Sequence, residues 1–371
     1  MHLTRLQLDG FRNLRSLDIA LAGAARVVVY GHNGAGKSSL LEALSLLAPG
    51  RGVLGANLEE RVQHALPATT APAETPPPQW SLSAHTQQGH IGQRWLGGKR
   101  QVAINGQAVQ RHADLAQVGS VVWLSPRQDR LFYEAPKGRR QFLDRLVYAL
   151  TPTHADTLSR YSQLLKARQQ VLKNPDADWL SVVEAQLAAL GAAIHAARTD
   201  YLHALAPHLQ ALQLQLTLTD GPEAFQDLSL YQHHLADNRA RDHKFAATHY
   251  GPHRTDIHGQ WLNGPALDQA SMGQHKRALL MLLVGHAQLL QAGRQTPPLV
   301  LLDEVTAHLD EGVRQLVFGH LRDLGAAVWL TGTERSLFQK LPRATTQWIK
   351  VHEGTIFTEV NHGRTARRRA S

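Results

Sequence analysis

The stretch Gly31-His-Asn-Gly-Ala-Gly-Lys-Ser38 constrains this chain more than any other. It fits the pattern G-x-x-x-x-G-K-[ST], with Gly31, Gly36, Lys37 and Ser38 on the fixed positions. Taken alone it could be an ordinary glycine-rich turn before a helix. Its surroundings argue for more. Arg26-Val-Val-Val-Tyr30 reads as a short buried strand, and Ser39-Leu-Leu-Glu-Ala-Leu-Ser-Leu-Leu47 reads as a helix. In that strand–loop–helix setting, backbone N–H groups and a helix N-terminus converge on a polyphosphate. The expected nucleotide contacts are therefore Gly31, His32, Asn33, Gly34, Ala35, Gly36, Lys37, Ser38 and Ser39. Lys37 would reach the β- and γ-phosphates, and the Ser38 hydroxyl would ligate Mg2+.

A triphosphate site needs a second, acidic strand, and Leu299-Val-Leu-Leu-Asp303-Glu304 supplies one. Apolar residues bury the strand, and Asp303 emerges at its C-terminal edge to hold the magnesium ion. Glu304 beside it is the natural group to orient or deprotonate the attacking water. An Asp-Glu pair after an apolar strand could also be a plain helix-starting turn, a reading the P-loop in the same chain disfavours.

With 371 residues there is room for one large or two medium domains. A hydrophobic share of 43% against 19% charged places the chain among globular proteins. It has no cysteine, which excludes disulfides and thiolate-bound metal and fits a cytoplasmic location. The start, Met1-His-Leu-Thr-Arg-Leu6, moves straight into strand-like alternation, with no signal peptide expected. The most apolar run, Ala278 to Leu290, is too short to span a bilayer and reads as a buried helix. Net charge is +9 with histidines neutral, so a polyanion partner is plausible and solubility charge is the alternative.

Along the chain, Leu3 to Leu21 suggests two strands joined at Gly10–Asn13. The helix after the P-loop stops at Pro49-Gly50-Arg51-Gly52. Ala65 to Gln79 is rich in Pro, Ala and Thr and reads as a surface loop. Trp80 to Val109 reads as short antiparallel strands with turns at Gln88-Gly89, Gly97-Gly98 and Asn105-Gly106. Val118 to Ser125 is a buried strand closed by Pro126. From Arg139 to about Leu216 the pattern is helical, with a turn at Asn174-Pro175-Asp176. A packing seam runs through Leu187, Leu190, Ile194, Ala197, Tyr201, Leu205, Leu209 and Leu212, and Pro207 is expected to kink or interrupt it. Leu214–Thr219 returns to strand. From Tyr250 the pattern is α/β again, with strands at 298–303, 326–331, 346–351 and 355–360 and a helix from Glu311 to Arg322. A basic tail closes the chain. The expected division is an N-terminal head part at 1–126, a helical lobe at 127–250, a C-terminal head part at 251–362 and a tail at 363–371. The fold class is α/β: a P-loop sheet with helices plus an antiparallel β subdomain, carrying an inserted short α-helical lobe.

Ser271-Met-Gly-Gln-His-Lys276 precedes the long buried helix. Ser and Gly at a helix N-terminus suit a phosphate-binding cap, though Ser271 alone could be a plain N-cap. The order of elements resembles an ABC/SMC-type ATPase head, and in the ABC-type ATPases such a cap contacts the γ-phosphate held by a second molecule. That resemblance makes Ser271, Gly273 and Gln274 a cap acting in trans. It makes the stretch ending at Asp310 a D-loop, and it puts Thr331 and Thr333 where the switch residue belongs. Lys37 and Asp303 lie 266 residues apart, whereas Ser271 and Asp303 lie only 32 apart. The insertion thus falls before the cap, as a short arm, far shorter than an SMC coiled coil.

The match then narrows to the RecF family. Phe11-Arg-Asn-Leu14 resembles its F-R-N opening, and Gly138-Arg139-Arg140-Gln-Phe-Leu-Asp144 resembles its R-R-x-F-L-D run. Tyr161 to Lys173 resembles a helix ending in R-N-x-x-L-K, with Arg168-Gln169 replacing R-N. Tyr250-Gly-Pro-His-Arg254 resembles G-P-H-R, and Ala270-Ser-Met-Gly-Gln274 resembles A-S-x-G-Q. The residues themselves offer no physical account of Gly251-Pro-His-Arg254. His275, inside the cap, is expected to face solvent. The resemblance implies a weak ATPase using ATP and Mg2+, with Arg12 and Asn13 joining the nucleotide contacts and Gln128 serving the magnesium site. It further implies an ATP-dependent homodimer on DNA at single-stranded gaps and duplex junctions, working with RecO and RecR to load RecA in recombinational repair, with no membrane role. Arg94, Lys99, Arg100, Arg139 and Arg140 are the candidate DNA contacts, weighed against plain surface charge. Two rivals remain: an ABC-type ATPase coupled to transport or another partner without DNA, and a chromosome-structural clamp.

Overall fold

The computed structural model describes residues 1–21, 24–49, 52–53, 61, 79–174, 176–219, 225, 227–293 and 297–359. The proline-rich stretch before Gln79, Pro175 and the basic tail lie outside the described residues. By its internal contacts the chain forms two units, Met1–Gln128 with Leu290–Ser371, and Asp129–Leu289.

The first unit holds two six-stranded sheets. One is antiparallel and ordered β2-β1-β4-β5-β6-β7. It comprises β1 (Leu3–Phe11), β2 (Leu14–Ala20), β4 (Gln79–Thr86), β5 (Gly89–Leu96), β6 (Lys99–Ile104) and β7 (Gln107–Ala108). Two of its hairpins turn at the expected pairs Gly97-Gly98 and Asn105-Gly106, where left-handed backbone favours Gly and Asn, whereas the first turns at Gln87-Gln88, one residue ahead of the expected Gln88-Gly89. The other sheet is ordered β14-β13-β3-β12-β11-β8. In it β3 (Arg26–Tyr30), β8 (Val121–Leu124), β11 (Leu299–Leu302), β12 (Ala327–Gly332) and β13 (Thr346–His352) run parallel, and β14 (Thr355–Glu359) is antiparallel to β13. Strands β8, β11 and β12 are buried along their whole length, which explains their unbroken apolar runs. Helix α1 (Lys37–Ser45) touches β1 of the first sheet and β8, β11 and β12 of the second. One core joins Leu6 and Leu8 to Leu40, Leu41 and Leu44 and on to Val27, Leu301, Trp329 and Ile349. The P-loop helix is thus fixed from two sides.

The second unit is mostly helical: α2 (Pro136–Leu150), α3 (His154–Lys173), α4 (Ala177–Ala211), α5 (Leu228–Asp237) and α6 (Arg239–Phe245). Helix α4 runs through Pro207 to Ala211 without interruption, a departure from the expected break. Pro207 sits near the C-terminal end, where only one intrahelical bond is forfeited. Of the expected seam, Leu187, Ile194, Tyr201, Leu205, Leu209 and Leu212 are buried. By length and composition α4 is the one described helix that could cross a bilayer. Its buried face carries Glu184 and Arg198 in ion pairs within the lobe, as suits a core helix.

The sequence reading ended the lobe at 250, but the contacts group 251–289 with it. The physical reason is strand pairing and charge. Strand β10 (Asp256–Trp261), which had no clear sequence signal, pairs antiparallel with β9 (Leu214–Thr219). The Arg139 guanidinium grips Asp256 in a two-pronged pair at 2.8 and 2.6 Å. Arg198 holds Asp144 at 2.8 Å through two nitrogens and donates to the Pro252 carbonyl at 2.6 Å.

That network accounts for Gly251-Pro-His-Arg254. Tyr161 Oη lies 2.9 Å from His253 Nδ1 and 3.1 Å from Tyr231 Oη. His253 Nε2 lies 2.8 Å from the Thr248 carbonyl, so Nε2 carries the proton and Nδ1 accepts from Tyr161. Arg254 Nε donates to the same carbonyl at 3.0 Å. Arg168, fully buried, donates to Glu184, Asp242, Thr248 and the Leu235 carbonyl, tying α3 to α4, α5 and α6. The two family-like segments are the polar frame of the lobe.

Candidate nucleotide-binding site

Strand β3 ends at Tyr30 and the loop begins at Gly31, where φ is 155° and the backbone passes against the Val351 carbonyl. A Cβ at residue 31 would lie 2.1 Å from that oxygen, so only glycine fits. Gly36, at φ 118°, caps α1 without any side-chain hydrogen bond, and no acidic residue stands in the first turn. The positive end of the helix is left to an anion.

Lys37 is 4% exposed, and its ammonium donates to the carbonyls of Gly31 at 2.7 Å and His32 at 2.9 Å. Burial pulls its pKa down from the usual lysine value, while the charges of Glu304 and Asp303 oppose that shift. A buried cation between a helix N-terminus and two carboxylates is matched to a bound polyanion. His32, Asn33, Gly34 and Ser38 are exposed along the loop, Ala35 is buried beneath it, and Ser39 is half-buried.

The acidic strand delivers its residues one strand-pair away. Order β3-β12-β11-β8 puts the C-terminal ends of all four strands at one edge of the sheet, the edge that binds ligands in open parallel sheets. The Thr331 hydroxyl donates to Asp303 Oδ1 at 2.6 Å and accepts from the Glu304 N–H at 2.8 Å. Glu304 itself has φ +49°, a left-handed conformation that this bond helps to hold. Thr331, read as a switch residue, is fully buried and braces the two acids; Thr333 is exposed. Asp310 caps the helix α8 (Glu311–Asp323), accepting from the Val313 N–H at 2.8 Å.

These residues fit magnesium bound together with a triphosphate. No group of three or more His, Cys, Asp or Glu able to hold a metal occurs among the described residues, so protein carboxylates alone make no cage. Magnesium characteristically takes one or two carboxylates plus substrate phosphates, and Ser38 with Asp303 is such a partial set. Gln128 is less available: its Oε1 accepts from Ser125 N–H at 2.9 Å and Ser125 Oγ at 2.8 Å, closing the turn Pro126–Gln128.

Two candidate contacts act on the protein itself. Asn13 donates from Nδ2 to the Gly34 carbonyl at 3.0 Å and accepts from Ser39 Oγ at 2.8 Å, bracing the loop. Arg12 pairs with Glu42, which is fully buried and also accepts from Arg61 Nε at 2.9 Å. Sequence reasoning missed Glu42, although an acid on the apolar face of α1 between Leu41 and Ala43 is a signal for a buried partner.

The cap lies in the second unit. Ser271 Oγ accepts from Gln274 N–H at 3.3 Å, and Gln274 Oε1 accepts from Ser271 N–H at 2.9 Å. This reciprocal capping box starts the helix α7 (Met272–Gly293) and leaves Ser271 and Gln274 exposed and Gly273 half-buried. His275 does not face solvent as expected. It is fully buried, its Nε2 accepts from the Phe132 N–H at 3.1 Å, and its ring stacks on Tyr133 at 4.8 Å. The rotation of about 100° from an exposed Gln274 to the next residue is enough to bring that side chain inside.

The candidate DNA contacts divide. Arg94 and Lys99 are exposed on the antiparallel sheet. Arg100 is drawn inward, donating to the Leu46 carbonyl at 3.0 Å and Gln93 Oε1 at 2.8 Å, with its pKa pushed down to about 10 by burial. Arg139 is spent on Asp256, and Arg140 donates to the Thr255 carbonyl at 2.9 Å. Both belong to the frame of the lobe, where the sequence reading had offered them to phosphates.

The chain matches known proteins along most of its length. A family profile described as "RecF/RecN/SMC N terminal domain" matches residues 2–354. The chain is 34% identical over 381 residues to the "DNA replication and repair protein RecF" of Mesorhizobium japonicum, covering 96% of this chain and 97% of that one. It is 33% identical over 375 residues to the protein of the same name from Rhizobium meliloti, covering 95% and 98%. Among solved structures it resembles "the recombination mediator protein RecF-ATPrS in RecFOR pathway", with a TM-score of 0.80 at 24% identity over 97% of this chain and 98% of that one. An Smc head domain from Pyrococcus furiosus shares the fold more distantly, with a TM-score of 0.52 at 13% identity over 96% of each chain. With a family profile over residues 2–354 and 34% identity along nearly the whole chain to a protein named RecF, the chain belongs to the RecF family of SMC-type ATPases.

Proposed function

We propose that this chain is an ATP-driven DNA clamp: ATP joins two copies on DNA, and slow hydrolysis parts them. The observation that carries the reading is the meeting of Lys37, Asp303, Glu304 and Thr331 at one sheet edge. The exposed capping box Ser271-Met-Gly-Gln274 supports the second half of the site, presented to the nucleotide of a partner copy. A helix N-terminus favours an anion through its backbone N–H groups and dipole, and here the uncapped terminus of α1 and the Ser-capped terminus of a partner copy's α7 would enclose one triphosphate.

Within the site the loop N–H groups and Lys37 bind the phosphates, and the Lys37 ammonium exchanges its bonds to Gly31 and His32 for phosphate oxygens. Ser38 and Asp303, with Gln128 as a further candidate, would hold magnesium, which would supply charge neutralisation at the phosphates. Glu304 orients the attacking water and accepts its proton at the carboxylate. Its backbone N–H is held by the Thr331 hydroxyl.

The DNA role is supported by the net charge of +9 and by the names of the relatives, which are DNA replication and repair proteins. Arg94 and Lys99 are the exposed candidates for phosphate contact. Single-stranded gaps and duplex junctions are the proposed targets. RecO and RecR are the proposed partners, since the similar solved structures come from the RecFOR pathway, and RecA loading is the proposed outcome. The setting is the cytoplasm, at the nucleoid.

The test is Glu304→Gln with ATP, magnesium and gapped DNA. The variant should bind ATP and accumulate as a DNA-bound dimer, whereas Lys37→Ala should lose nucleotide binding. DNA affinity should fall steeply with salt. A Glu304→Gln protein that stays monomeric at saturating ATP would sink the sandwich. Dimerisation without any DNA signal would instead favour an ABC-type ATPase coupled to another partner.

A further inference from the structure

A phosphate loop cannot hold its own shape. Gly31, Gly34 and Gly36 all have positive φ, and glycine-rich backbone loses more freedom on ordering than any other. The described contacts on the N-terminal side come from Asn13. On the opposite side stands a segment more than 300 residues away in sequence, the turn His352-Glu353-Gly354 between β13 and β14.

The register brings it there. Strand β13 pairs in parallel with β3 up to Lys350 opposite Tyr30, so Val351 and His352 run on beside Gly31 and His32 as the ladder ends. Three contacts follow. The Val351 carbonyl fills the space that a side chain at Gly31 would need. The His352 ring meets the His32 ring edge-to-face, with centroids 5.2 Å apart and planes at 85°. The Gly354 N–H donates to the Ala35 carbonyl at 3.0 Å. Gly354 sits at φ +73°, and a Cβ there would lie 2.0 Å from the Asn13 carbonyl oxygen. The turn therefore touches the start, middle and far side of the loop and rests on the same Asn13 that braces it from the other flank.

We propose that the turn His352-Glu353-Gly354 is a positioning element for the phosphate loop, with Gly354 as its fixed point and His352 as its lever on His32. None of its atoms need touch the nucleotide. It presses the loop into the anion-binding curve before ligand arrives, so binding energy is not spent on ordering glycines. This rests on the ATP reading of the loop given above. It predicts a class of defect that loop mutations do not show: an intact Gly31–Ser38 that binds weakly because its support has moved.

The experiment compares full-length wild type, Gly354→Ala, Gly354→Asn and His352→Ala by two readouts. The first is amide hydrogen exchange of residues 31–39 without nucleotide, alongside exchange of the β3 and β12 amides as an internal standard. The second is ATP titration. Gly354→Ala should speed exchange in the loop and weaken ATP binding about tenfold, while β3 and β12 keep their protection. Gly354→Asn should do the same, because Asn tolerates left-handed backbone but still carries the clashing Cβ. His352→Ala, at an exposed ring, should fold normally and raise exchange about threefold at residues 32–34 only, a small local opening. Should both Gly354 variants fail to fold, the His352→Ala exchange decides alone. Unchanged loop exchange in every folded variant overturns the proposal. Wild type that fails to bind ATP would refute the nucleotide reading, and the exchange data would still judge the positioning role separately.

Discussion

Thr331→Val isolates the hydroxyl that organises the acidic half of the site. The side chain is fully buried and makes two bonds, to Asp303 Oδ1 at 2.6 Å and from the Glu304 N–H at 2.8 Å. A hydrogen bond to a carboxylate contributes about 1.5–3 kcal/mol and one between neutral groups about 0.5–1.5 kcal/mol. Asp303 and Glu304 are only half-buried, so water can replace part of what is lost. A destabilisation of about 1–3 kcal/mol is the expected outcome in urea unfolding. The chemical effect should be larger than the structural one. Glu304 is held at φ +49°, a conformation that costs on the order of 1–2 kcal/mol for a residue with a Cβ. Without the Thr331 oxygen its N–H is released, the backbone relaxes and the carboxylate leaves its place. Positioned general-base groups contribute about 10²–10⁴-fold, so single-turnover ATP hydrolysis should fall by about 10²-fold. ATP affinity, which rests on Lys37 and the loop N–H groups, should change far less. Thr331→Ser restores the oxygen and should recover most of the rate. Hydrolysis by Thr331→Val within a few-fold of wild type, at normal ATP occupancy, would refute the reasoning.

Arg168→Met tests the frame of the lobe. Removing the buried guanidinium takes one partner from each of Glu184 and Asp242, which keep Arg239 and His249, so a loss toward the lower end of about 3–5 kcal/mol is expected in denaturant unfolding. Asp242→Asn in the Arg168→Met background should recover part of it. Acid sensitivity should centre on His253, whose pKa burial lowers to about 4. A histidine kept neutral by the fold contributes its full stability above the unfolded value of about 6.5 and loses it as pH falls through the folded pKa. Between pH 7 and 4.5, wild type should therefore lose roughly 2 kcal/mol more than His253→Gln in urea unfolding. Equal losses would mean that protonation is absorbed elsewhere.

What could be read in advance followed from how local each signal is. The strand Arg26–Tyr30, the loop and the helix after it are one continuous segment, and each carries its own mark: a β-branched run, fixed glycines, a leucine face. Paired strands with turn residues between them, as in β4 to β7, are equally local. Charges are different. Arg139 and Arg140 look like surface cations in sequence because their partners, Asp256 and the Thr255 carbonyl, lie over a hundred residues away. Arg100 likewise answers to Leu46 and Gln93, and His275 is buried by Phe132 and Tyr133. A long-range partner leaves no periodicity behind, so such pairings could not be read in advance.

The same distinction explains why Gly251-Pro-His-Arg254 had no account from residues alone. Its histidine is oriented by Tyr161 on one nitrogen and the Thr248 carbonyl on the other, and its Pro252 carbonyl is an acceptor for Arg198. Arg198 is in turn fixed by Asp144, the last residue of the Arg139-Arg140-Gln-Phe-Leu-Asp144 run. Two segments that look like separate family motifs are halves of one buried polar network, and a polar network inside a lobe is costly unless every member is satisfied. That cost gives a physical reason for their joint presence without a ligand. It also locates the chemistry: if Arg139, Arg140, Arg198 and His253 are occupied in holding the lobe together, recognition of phosphate falls to the loop N–H groups, Lys37 and exposed cations such as Arg94 and Lys99. Replacing both Arg94 and Lys99 by Ala should then lower the slope of log K against log salt for DNA by about 1–2 while leaving unfolding unchanged.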